Sequence, residues 1–83
     1  MNRKKNLTLG LHTLEEQSIA LRMATGAFET AMKGISEGSR EQYAFGIGYI
    51  SAIADLAQSE GAHGLLRDLE RMSDQLKAVG FRW

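Results

Sequence analysis

Not one proline interrupts this 83-residue chain, and nine glycines punctuate it instead. Proline is the strongest breaker of a helix and glycine the commonest way to close one, so long helices separated by glycine are the first expectation. Two start signals and one stop signal agree. Thr13-Leu14-Glu15-Glu16 is a capping box: the threonine can accept from the backbone of Glu16, and the Glu16 side chain can reach back to residue 13. Glu15 and Glu16 also place negative charge where a helix dipole favours it. Ser39-Arg40-Glu41-Gln42 repeats the serine-to-glutamine spacing, and Gly80 follows Val79 where a left-handed cap residue belongs.

Between these signals the apolar residues recur with helical period. Leu14, Leu21, Phe28 and Ile35 return every seven residues, with Ile19, Met23, Ala24, Ala27 and Ala31 widening the stripe. Gly26 is its weak point. Leu65, Leu69, Met72, Leu76 and Val79 alternate in steps of four and three, opposite a face of Arg67, Asp68, Glu70, Arg71, Asp74 and Lys77. The middle segment differs. Tyr43, Phe45, Ile47, Tyr49, Ile50, Ile53 and Leu56 point in nearly every direction, as in a helix buried on more than one side. A strand over 43–53 is disfavoured, because the alternation is not of period two and glycines would weaken it. Ala44, Gly48 and Ala52, spaced by four, form a ridge that would let another helix approach closely. The expected fold is therefore all-α, with three helices near 13–34, 39–59 and 64–79. Residues 1–12 are read as a basic, extended arm and residues 13–83 as one domain.

Size and composition exclude much. A chain this short hides only about 60% of its unfolded surface, so its core is small. Without cysteine there is no disulfide, no thiolate-bound zinc and no thiol nucleophile. His12 and His63 are isolated, with no second ligand at helical metal spacing, so no metal or other cofactor is expected. No serine lies in a nucleophile elbow, and the paired carboxylates Glu15/Glu16 and Asp68/Glu70 belong to a helix start and a charged face. A catalytic acid needs a desolvating pocket. The chain is thus expected not to be an enzyme. The N-terminus lacks the unbroken apolar stretch of a secretory signal, and no run approaches a membrane span, so the cytoplasm is the expected location.

Ten basic residues balance ten acidic ones, which removes any global attraction to nucleic acid. The one like-charge cluster is Arg3-Lys4-Lys5, and without it seven basic residues face ten acidic. A cationic arm can hold phosphates weakly and with strong salt dependence, although a solvated terminus is the plainer reading. Gly46-Ile47-Gly48 with Ala52 resembles the G-[IV]-G-x-x-x-A hairpin of helix-hairpin-helix DNA-binding domains, with Phe45 where that family has proline. The resemblance implies backbone N–H groups facing a DNA phosphate. Together Arg3, Lys4, Lys5, Arg40, Gly46 and Gly48 make up the nucleic-acid alternative. Gly61-Ala62-His63-Gly64 is similar to the G-x-x-G loop of KH domains, but those also need three strands, and a plain interhelical turn fits better.

The apolar surplus points elsewhere. The middle helix has more apolar directions than two neighbours can cover, and Phe81 and Trp83 add aromatic area at the chain end. Such surplus marks an interface, for which aromatics and arginine are favoured anchors. A helical homodimer and a non-catalytic role as a small regulator or inhibitor, of the kind phages and plasmids carry, are the favoured expectations. The partner would be another protein, bound through Tyr43, Tyr49, Phe81, Arg82 and Trp83.

Overall fold

The computed structural model describes residues 11–80, and these form three helices and no strand. Helix α1 runs Leu14–Glu37, α2 Arg40–Glu60 and α3 His63–Val79. The arrangement is up-down-up. Gly34 of α1 meets the start of α2, Gly46 meets Ala27 and Ala31, and the Tyr43 hydroxyl at the start of α2 donates to the Leu76 carbonyl near the end of α3 at 3.2 Å.

Local chemistry accounts for the boundaries. Thr13 accepts from Glu16 N at 3.0 Å, while Glu16 Oε1 accepts from the backbone N–H of His12 at 2.9 Å and of Thr13 at 3.1 Å. The Ser39 side chain accepts from Gln42 N at 3.2 Å. Gly38 and Gly61 close α1 and α2 at φ +74° and +75°, a left-handed conformation that glycine adopts without strain. The first helix therefore ends at Glu37, not near Gly34, where the glycine reads as a stop. Gly34 stays helical because the opening of α2 presses on it. A Cβ there would lie 2.8 Å from Ser39 O, from Tyr43 N and from Gln42 Cβ. Gly80 also has positive φ, +58°, but with ψ 178° it is not the left-handed cap expected.

The core is placed differently from the expected stripe. On α1 the buried residues are Ala20, Ala24, Ala27, Ala31 and Gly34, a small-residue series in steps of four and three. On α2 they are Gly46, Ile50, Ile53 and Ala57 in the same rhythm. These two series form the α1–α2 seam, and the short side chains of α1 together with Gly46 allow its closest approach. A Cβ on Gly46 would lie 2.5 Å from Ala27 O and from the Ala31 Cβ. Leu21, Phe28 and Ile35 are half-buried at the edge of this seam, and Leu14 is 83% exposed. The ridge Ala44–Gly48–Ala52 is exposed and receives none of the three helices. Helix α3 matches its pattern, with Leu65, Leu69 and Leu76 buried. Leu11 is buried to 1% exposure and its carbonyl accepts from Gln17 Nε2 at 3.0 Å. Residues 11 and 12 thus belong to the folded unit rather than to the arm. His12, expected to stand alone, lies 3.0 Å from Glu60.

The capping box has a consequence for acid stability. The backbone N–H groups of Thr13 and then His12 hold the Glu16 carboxyl below its usual 4.5. A carboxylate with a lowered pKa in the fold contributes stability that is present above the unfolded value and lost as pH falls through the folded one. Wild type should therefore lose its advantage over Glu16→Gln as the pH drops below 4.5, measured as denaturation midpoints across the acid range.

Candidate protein-binding face

Helical period divides α2 into two flanks on either side of its buried line. One flank carries Tyr43, Ile47 and Ala54, and Tyr43 ties it to α3 through Leu76. The other flank carries Phe45, Tyr49, Ala52 and Leu56. On α1 the same division puts Leu14, Leu21 and Phe28 on the side of α3, and Ile19, Met23, Gly26 and Thr30 on the side away from it. The α1–α2 hairpin therefore has a back face that α3 does not reach.

Between Phe45 and Leu56, and between Ile19 and Thr30, that face is apolar, with Glu37 and Glu60 continuing its flanks toward the helix ends. Phe45 is 57% exposed, Met23 49% and Ile19 43%, while Tyr49 and Leu56 are half-buried beside them. The Phe45 and Tyr49 rings stand 5.8 Å apart between centroids at 46°, within the range in which tilted aromatic pairs attract. None of the eight flank residues is Asp, Glu, Lys or Arg. Ala52 and Gly26 are exposed and small, with nothing within 4 Å of a Cβ built on Gly26.

A second surface feature is an open groove of about 460 Å³ between the N-terminal turns of α1 and α3. Leu14, Leu21 and Leu65 form its apolar walls, and Arg67, Asp68 and Arg71 its polar rim. Arg71 is 3.2 Å from Asp68. Among the described residues no group of three His, Asp or Glu could hold a metal ion, and no helix is long and apolar enough to cross a membrane.

The expected site residues fall into three groups. Tyr43 is half-buried, and its hydroxyl donates to the Leu76 carbonyl, which ties it to α3. Tyr43→Phe should destabilise by about 0.5–1 kcal/mol. The loss stays at that low end because the Leu76 carbonyl keeps the Gly80 N–H at 2.7 Å, and equilibrium denaturation measures it. Tyr49 does lie on the open face. Phe81, Arg82 and Trp83, like Arg3, Lys4 and Lys5, are outside the described residues. For the nucleic-acid alternative, Gly46 and Gly48 lie inside the uninterrupted helix α2, with Gly46 buried against α1. The expected phosphate-facing turn is not formed, because their backbone is spent in helical hydrogen bonding. Arg40 is the exposed first residue of α2. Sequence reasoning missed Phe45, Met23 and Ile19 as surface residues. The small-residue rhythm Ala20–Ala24–Ala27–Ala31 was the available signal, since it marks the seam and thereby turns Ile19 and Met23 outward.

Comparison with protein-family models, with curated proteins and with solved structures finds no match.

Proposed function

We propose that this chain is a non-catalytic protein-interaction module, a small regulator or inhibitor that acts by stoichiometric binding through the back face of the α1–α2 hairpin. The observation that carries the reading is the exposure of Phe45, Met23 and Ile19 on one apolar stretch of the hairpin's back face. Interface cores are depleted of charge and enriched in aromatics and methionine. Three large apolar side chains left to water on a single face of so small a domain lower solubility, and a bound protein surface would remove that penalty. Stoichiometric binding needs only a stable scaffold and such a patch. The cytoplasm remains the proposed setting.

The test is affinity capture with immobilised chain. Proteins retained by wild type should be lost on Phe45→Glu and on Met23→Glu, and kept on Glu70→Gln, a change on the exposed face of α3. Identical retention by all four chains would remove the back face as the binding surface.

A further inference from the structure

We infer that the partner of the back face is a basic amphipathic helix of another protein, one whose apolar stripe of about three turns ends in Lys or Arg on either side. This rests on the reading above, since it names the chemistry of the partner that surface takes.

The helical rows of the hairpin carry the argument. On α2 the outward row reads Glu41, Phe45, Tyr49, Ala52, Leu56 and Glu60, in steps of four and three. On α1, Glu16 precedes and Glu37 closes the row that holds Ile19, Met23 and Thr30, and Lys33 is its one basic member. Both rows are therefore apolar in the middle and acidic at each end. The apolar middle is about 17 Å long, and the backbones of Glu41 and Glu60 stand about 29 Å apart at helical rise. The wider charge agrees. Helices α1 and α2 carry seven acidic residues and three basic, whereas α3 carries three of each. Of the basic three, Arg40 lies on the opposite flank of α2 and Arg22 on the solvent side of α1. Glu37 and Glu41 are exposed, and among the described residues neither has a cationic partner. An apolar partner with cationic ends would meet these carboxylates, and such matching supplies specificity and a fast on-rate. The shape of the face asks for a helix. Two antiparallel helices take a third along the trough between them, as this hairpin already takes α3 on its other side, where Leu65, Leu69 and Leu76 are buried. With so short an apolar stretch the complex belongs among the small, weaker interfaces.

The probe is a synthetic amphipathic peptide of about 20 residues, about 30 Å long as a helix, with leucines along the middle of one face and two lysines at each end. Its counterpart has glutamates in place of the lysines. In fluorescence anisotropy at low salt, wild type should bind the lysine-ended peptide at least about tenfold more tightly than the glutamate-ended one. Added salt should shrink that preference. Phe45→Gln removes the exposed ring without adding charge, and it should lose binding with an unchanged helical circular dichroism spectrum. The double variant Glu37→Gln, Glu41→Gln should keep its fold and narrow the preference for lysine ends. No binding of the lysine-ended peptide up to about 0.1 mM, beyond the micromolar range of weak standard-size interfaces, would overturn the inference. Equal affinity for both peptides, or binding kept by Phe45→Gln, would also overturn it. The protein-binding reading would survive any of these results if Phe45→Glu still abolished capture of another protein. Wild type running in light scattering at twice the 9.2 kDa chain mass, and at the single mass on Phe45→Glu, would put a second copy on the face and overturn the inference too.

Discussion

Replacing Gly46 by alanine is expected to lower stability by about 1–3 kcal/mol, and the same change two residues on, at Gly48, to raise it by about 0.5–1 kcal/mol. Both glycines lie within α2, and alanine is the better helix former at either position. Their surroundings decide the sign. At Gly46 the added methyl would lie 2.5 Å from a backbone oxygen of Ala27 and the Cβ of Ala31. Neither atom can rotate away, so α1 and α2 must separate along their seam. At Gly48 nothing lies within 4 Å, and only the entropic advantage of alanine remains. For a domain of this size, 1 kcal/mol moves the melting temperature by about 4–8 °C. Thermal melts of the two variants should therefore shift in opposite directions. Equal shifts would mean that the helices do not meet through Gly46.

Leu69→Ala should destabilise by about 2–5 kcal/mol, the range for truncating a fully buried leucine. Leu69 is 0% exposed in the middle of α3, between the buried Leu65 and Leu76. An 83-residue domain at typical stability per residue has only about 4–12 kcal/mol in all, so this one change removes a large part of it. Leu14→Ala is the informative partner. Leu14 opens the seven-residue series of α1 but is 83% exposed, and its truncation should stay within about 0.5 kcal/mol of wild type. Chemical denaturation of both variants tests whether the core follows the α3 leucines or the α1 heptad. A large loss at Leu14 would restore the heptad reading.

The parts of the fold that chemistry writes locally were legible. Thr13 with Glu16, Ser39 with Gln42, and the leucines of α3 each announce themselves within a few residues, and the three helices form where those signals lie. The direction in which α1 faces was not legible from size and hydrophobicity. Leu14, Leu21, Phe28 and Ile35 are the larger residues, yet the alanines beside them are buried more deeply. Close approach of two helices rewards small side chains over apolar bulk, a tertiary effect that no single segment displays. The same effect decides which aromatics of α2 are exposed. Tyr43 looks like a surface anchor until α3 supplies Leu76 as its hydrogen-bond partner, and Phe45 looks like core until Gly46 is seen to take the inward position. Gly34 shows the limit at boundaries, since a glycine that reads as a stop is held in the helix by the turn that follows it.

The α1 side of the seam with α2 is all alanine and glycine, which bears on how stability varies with temperature. Melting that side wets mostly methyl groups and peptide units, where a leucine-lined helix would wet long hydrocarbon chains. Hydrocarbon exposure raises the heat capacity of the unfolded chain and peptide exposure lowers it. The increment on unfolding should therefore lie at or below the lower end of the usual 12–15 cal/mol/K per residue, roughly. The free-energy curve would then be broad and shallow, so that cold and warmth erode this small bundle slowly.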